Sequence, residues 1–401
     1  MNGIFKAVLS FVLTAAVILL GADFAVPTEA DGITGPAAAS VSAEAETVPY
    51  DFGECRAAAL YECSSGTLIA SKNAEAAIPV GQLTKLMTAL IAAEKLESGE
   101  LTPNETVTAS KNAFDQQGSQ IWLGIGEKIS VEELLLSITV GNANDAAVAL
   151  AEHISGSAEE FSALMNSEAS RLGMKNTRFD DCAGLSSKNA VSAEDMALLC
   201  CELVKCDSLI PYFSQRLAYV RGGRAELVSR NELIRSYPGT RGFKVCYTEE
   251  SGYCAALCAE KADMTLCLVI LGAENEDALI ARCKAVFDRA AAENELYTPE
   301  LPEDLPDSIA VTHGQKYECS VEVRRLRQVI IPRGTYRSVT CEYELISETE
   351  APVKAGMRVG TVRFLSGDKE ISSAEIVTGE EIPETDFGFS FKRVLFNLLN
   401  I

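Results

Sequence analysis

Histidine is nearly absent from this chain: His153 and His313 are the two in 401 residues. Neither has a histidine neighbour and no cysteine spacing resembles a chelating set, so no metal is expected and both rings read as structural. Cationic side chains are also in short supply. Lys and Arg number 35 against 57 Asp and Glu, a formal net charge of -22, which argues against nucleic acid as a partner because phosphate binding needs a basic footprint. An acidic surface suits solubility and repulsion from anionic membranes. Long apolar runs are missing except at the start, where Ala7 to Leu20 is interrupted only by Ser10 and Thr14. With Lys6 before it and Ala22 and Ala25 after it, the run is too short for a comfortable span and reads as a secretory signal over residues 1–25.

Cysteine, in contrast, is plentiful. Thirteen cysteines in an exported chain would ordinarily suggest a disulfide framework, but the count is odd and most lie inside apolar runs such as Leu199-Cys200-Cys201 and Leu266-Cys267-Leu268. A thiol there behaves as a small buried hydrophobe. Free thiols and a reducing or anaerobic habitat are therefore expected.

The length and 47% hydrophobic content predict two domains. Asp31 to Glu46 is an Ala/Ser/Gly/Pro/Glu segment within an expected tether over 26–49. Ala57 to Tyr61 and Thr67 to Ala70, around Ser64-Ser65-Gly66, predict a hairpin, and Leu83, Leu86, Met87, Leu90 and Ile91 share one helical face. Helical periodicity dominates from Thr102 to about Cys206, including Val131 to Val140 and Asp145 to Ile154. Tyr253 to Glu260 and Met264 to Leu271 predict a second hairpin, followed by a helix from Asn275 to about Leu296. Strand pair, helical insert, strand pair and final helix imply an α+β domain over 50–297. The proline-rich, acidic stretch 298–306 marks a linker. Beyond it, Glu318 to Val329 and Val353 to Val377 alternate apolar and polar residues, as a small all-β domain over 307–383 would. In the tail, 387–401, Phe391, Val394, Leu395, Leu398 and Leu399 fall on one helical face. That predicts an amphipathic helix lying on a membrane surface, too short to span it.

The stretches PVGQLTKLMTAL, GEKISVEELL, GNANDAAVALAEHISGS, LGMKNTRF and GFKVCYTEESGYC occur in an order that resembles the serine-type D-alanyl-D-alanine carboxypeptidases, the low-molecular-mass penicillin-binding proteins. The resemblance covers nearly all of the chain after the signal. It implies a β-lactamase/transpeptidase-like domain, an antiparallel sheet with a helical insert, followed by the β-domain and amphipathic tail. No cofactor is implied.

In that family a Ser-x-x-Lys opens a helix so that the lysine takes the serine proton for attack on the peptide carbonyl. A Ser-x-Asn loop relays protons and holds substrate, and a Lys-Thr-Gly edge strand binds the terminal carboxylate. Here all three are altered. Gln82-Leu83-Thr84-Lys85 keeps the base, Lys85, without the nucleophile; Asn142-Ala143-Asn144 keeps Asn144 but has Asn142 for the second hydroxyl; Lys244-Val245-Cys246 keeps Lys244 but has Val245 and Cys246 where the carboxylate-binding hydroxyl and the bare backbone belong. Thr84 and Thr88 are the nearest hydroxyls to Gln82, and helical register turns Thr84 about 100° from Lys85. Gln82 is expected to offer its carbonyl oxygen to Lys85.

The resemblance and the losses together imply a noncatalytic scaffold or regulator in peptidoglycan metabolism, exported to the outer face of the cytoplasmic membrane. Its partner would be an active cell-wall enzyme or a peptidoglycan stem peptide, with the membrane surface engaged through the C-terminal helix. Two other readings use the same residues. One is a working carboxypeptidase with Cys246 as an activated thiol beside two lysines; the other is a module that only binds stem peptides through Lys244.

Overall fold

The computed structural model describes residues 50–399. The expected signal (1–25) and tether (26–49) lie outside the described residues.

Five antiparallel strands form the first sheet: β1 (Ala57–Glu62), β2 (Thr67–Lys72), β3 (Thr240–Thr248), β4 (Gly252–Lys261) and β5 (Met264–Ala273), in the order β2-β1-β5-β4-β3. Strands β4 and β5 read as unbroken apolar runs because both faces are covered. On one face Cys254, Ala256, Cys258, Cys267, Val269 and Leu271 join the helical insert. On the other, Ala255, Leu257, Leu266, Leu268 and Ile270 pack with Leu279, Cys283, Val286 and Phe287 of the helix Glu276–Glu293. Within the insert, helix α1 (Lys85–Glu97) buries Leu86, Met87, Leu90 and Ile91, and α2 (Val131–Thr139) opens on a reciprocal capping box between Ser130 and Glu133. Helix α3 (Asn144–Ser155) follows the sharp loop 140–143, and α4 (Ala193–Leu203) lies against the sheet.

A disulfide joins Cys63, just past β1, to Cys201 on α4, with Cα atoms 5.0 Å apart. This corrects the expectation of thirteen free thiols. The two residues are 138 apart in sequence, and spacing carries no pairing information over such a distance. The other eleven cysteines are free, nine of them buried, as small hydrophobes would be.

The long helix ends at Glu293, and Asn294–Tyr297 then forms a short strand paired with Val329–Pro332. A six-stranded sheet of the remaining β-segments follows, with Ser308–Thr312 parallel to Glu348–Glu350 and the other pairs antiparallel. The expected strand Glu318 to Val329 breaks after Arg324, and Val353 to Val377 becomes two strands, Arg358–Ser366 and Lys369–Thr378. The C-terminal helix runs from Phe387 to Leu399. Among the described residues no helix is long and apolar enough to cross a membrane.

Candidate active site

Four segments meet at the β3 edge of the sheet. The first is a 3-10 turn, Gly81–Thr84, leading directly into α1 at Lys85. In a 3-10 turn residues three apart eclipse one another, so Gln82 and Lys85 stand in line. The loop 181–185 crosses this turn without clearance: a Cβ on Gly184, at φ +80°, would come 2.0 Å from the Gly81 carbonyl oxygen. Asp181 holds the loop by accepting from the backbone N–H groups of Ala183, at 2.7 Å, and of Leu185, at 3.3 Å. The loop in turn presents two carbonyls to α1. Lys85 Nζ donates to Ala183 O at 2.6 Å and Thr88 Oγ1 to Cys182 O at 2.7 Å.

Gln82 therefore does not serve Lys85, contrary to the sequence-based expectation. Its Oε1 accepts from Asn142 Nδ2. Asn142, held at φ +59°, also accepts from Lys244 Nζ at 3.1 Å, and the same ammonium reaches Ile138 O at 2.6 Å and Thr139 O at 3.3 Å. Gln82, Asn142 and Lys244 thus form one hydrogen-bonded chain across the cleft, with Lys244 turned onto the end of α2. Asn144 is fully buried; its Nδ2 donates to Gln117 O at 2.5 Å, while its Oδ1 has no partner. Asp145 secures that neighbouring loop by accepting from Ile121 and Leu123.

Strand alternation separates the residues of β3. Lys244 and Cys246 face the insert, whereas Val245 packs in the opposite core with Ala255 and Leu257. The expected carboxylate-binding position is thus occupied by a side chain directed largely into the other layer. The space left beside Lys244 and Asn142 is a cavity of about 10 Å³, roughly one water. Cys246 is buried with Sγ 3.7 Å from Val80 O. Burial raises its thiol pKa, although nearby N–H groups of Leu83 and Gln82 and both lysines oppose the shift. A neutral, enclosed thiol is the reverse of an activated nucleophile.

The two lysines shift the other way. Burial lowers Lys85 to about 8, and burial together with the Lys85 charge takes Lys244 well below its usual range. For Lys85 the folded value lies below the unfolded one. Between about pH 8 and 10.5 the unfolded chain holds a proton the folded chain lacks, so this group's contribution to stability rises with pH through that window and is least favourable below it. We predict that Lys85→Met is more stable than the native protein at pH 7, and that the gap shrinks by about 3 kcal/mol toward pH 10.5. Urea unfolding of both proteins across the window checks this; a gap independent of pH would contradict it.

The sequence reading missed Asp181, Cys182 and Ala183, which fix Lys85 and Thr88. The signal was present in Asp181-Cys182-Ala183-Gly184, an acceptor followed by a glycine able to take positive φ.

The geometry has known counterparts. A family model described as D-alanyl-D-alanine carboxypeptidase matches residues 44–275, and one described as penicillin-binding protein 5, C-terminal domain, matches 304–384. The chain is 30% identical over 347 residues to D-alanyl-D-alanine carboxypeptidase DacF of Bacillus subtilis, covering 85% of this chain and 89% of the relative. It is 29% identical to D-alanyl-D-alanine carboxypeptidase DacC of Escherichia coli over 351 residues, 85% of this chain and 88% of that one. Among solved structures, penicillin binding protein 5 from Haemophilus influenzae superposes with a TM-score of 0.75 at 25% identity, covering 82% of this chain and 98% of that one.

Proposed function

We propose a noncatalytic role for this chain, which belongs to the D-alanyl-D-alanine carboxypeptidase family of peptidoglycan metabolism. The observation that carries the proposal is the hydrogen-bonded chain from Gln82 through Asn142 to Lys244. It occupies the place where a nucleophile, a proton relay and a carboxylate anchor would have to act. A carboxamide cannot form an acyl-enzyme, and loss of a covalent nucleophile removes several powers of ten in rate. The frame around it is retained, as a scaffold or regulator of an active cell-wall enzyme would require. Intact-mass measurement after incubation with benzylpenicillin, beside an active relative, tests this. No adduct is expected, and a stoichiometric adduct would overturn the proposal.

The tail supports a site of action at the membrane surface. Phe387, Phe391, Val394, Leu395 and Leu398 of the C-terminal helix are all exposed, from 44% to 85%, while Arg393 stacks on Tyr317 of the β-domain, 4.4 Å from the ring centroid. Five large apolar groups facing solvent on one short helix support adsorption to the outer face of the membrane. Deleting 387–401 is expected to abolish co-sedimentation with phospholipid vesicles; unchanged sedimentation would remove this part of the reading.

A further inference from the structure

We propose that the β-domain carries a binding site for a linear polyanion that repeats phosphate charge along its length, centred on Arg324, Arg325 and Arg327. The stretch from Val323 to Cys341 contains five arginines and no acidic residue, in a protein of net charge -22. All five are exposed. Arg333 is used structurally, donating to Ala291 O and Asn294 O. Among the described residues, the guanidinium groups of Arg324, Arg325, Arg327 and Arg337 make no hydrogen bond or ion pair. Single unpaired cations occur elsewhere, but four arginines without carboxylates within 14 residues of so acidic a chain point to an anion supplied from outside.

The loop is built to present them. The strand Glu318–Arg324 ends where Arg325 takes φ +64°. The next residue, Leu326, packs against the core formed by Tyr297, Val362 and Phe364. An apolar anchor between two arginines holds the backbone while both charges stay in solvent. The guanidinium of Arg324 lies over the turn at Gly356, where a Cβ would meet its Nη1 at 3.0 Å. Glu375, opposite Arg324 in register, is engaged by Arg358 at 3.7 Å. Glu295, beneath the following turn, accepts from the N–H groups of Gly334 and Tyr336.

Arginine forks match phosphate oxygens bidentately, and several forks on one loop favour a ligand that repeats its charge along a chain. A lipid headgroup offers the same phosphate chemistry, and experiment separates the two sources. Tyr317, which stacks on Arg393 of the C-terminal helix, adjoins the start of the strand that ends at Arg324. The seven-residue strand Glu318–Arg324 spans about 20 Å, more than two Debye lengths at physiological salt, so the arginine loop and Arg393 do not act as one charge cluster. The inference does not depend on loss of catalysis at the cleft.

Titration with long-chain inorganic polyphosphate, read by fluorescence anisotropy, tests it. The native protein should bind with an affinity that falls at least about tenfold as salt rises through the physiological range. Combining Arg324→Glu, Arg325→Glu and Arg327→Glu should weaken binding about tenfold or more, while Lys128→Glu, Lys175→Glu and Lys188→Glu, the same change in charge at exposed unpaired sites elsewhere, should change it about twofold or less. Absence of native binding at low salt, or equal loss in both variants, would overturn the site. Retention of polyphosphate binding with loss of binding to phosphatidylglycerol vesicles in the arginine variant would assign the loop to lipid and overturn the polymer.

Discussion

A protein carrying Gln82→Ser, Asn142→Ser, Val245→Thr and Cys246→Gly together is expected to be acylated by benzylpenicillin, where the native chain gives no adduct. The physical case rests on Lys85. It is buried, in line with position 82 along the 3-10 turn, with its pKa lowered to about 8. At pH 7 roughly one molecule in ten then has a neutral amine able to accept a proton. A serine at 82 would place a hydroxyl beside that base. Removing the Gln82 and Asn142 amides breaks the chain across the cleft and leaves Lys244 held by the Ile138 and Thr139 carbonyls, and removing the Cys246 thiol opens space beside the N–H groups of Gln82 and Leu83 that it faces. Val245→Thr should contribute least, because position 245 packs mainly in the opposite core. Recovery by several powers of ten over the native protein is the expected scale. A folded but inert quadruple variant would show that the cleft has drifted beyond the three motifs.

Reduction of the Cys63–Cys201 bridge should produce the largest stability change. Closing a loop of 138 residues is worth up to about 5 kcal/mol in the chain-entropy limit, and typically ~3. For a domain of this size the melting temperature should fall by roughly 5 to 10 °C. Cys63→Ser should reproduce the loss under oxidising conditions and become insensitive to reductant. Calorimetry with and without a dithiol checks this, together with thiol counting in denaturant: eleven thiols are expected before reduction and thirteen after it. Thirteen from the outset, with no change in melting, would return the chain to the all-thiol reading. The third sulfur, Cys267, lies within 4.8 Å of the other two, so Cys267→Ser is a useful control that should leave the bridge in place.

Much of the fold was legible because its periodicities are local. The face Leu83, Leu86, Met87, Leu90 and Ile91 is buried in the insert, and the central hairpin of β4 and β5 spans the two predicted runs closely. The β-domain was less legible. Its strands are half-exposed, and alternation alone does not reveal that the chain turns after Arg324 or that Val339–Leu345 forms a further strand.

The sequence by itself determined the inventory: a lysine at 85 without a hydroxyl at 82, an asparagine at 142, a lysine at 244, and an amphipathic tail. These are properties of residue type and short spacing, which survive without knowledge of distant neighbours. Tertiary structure alone decided which groups meet. It gave Gln82 to Asn142 rather than Lys85, turned Val245 into the opposite core, enclosed Cys246, and brought Cys63 to Cys201. Each outcome depends on where the chain returns after tens of residues and on which face of a strand a position takes. Partner choice among buried polar groups is settled by the desolvation cost of leaving any of them unpaired, and that cost exists only once the chain has folded around them.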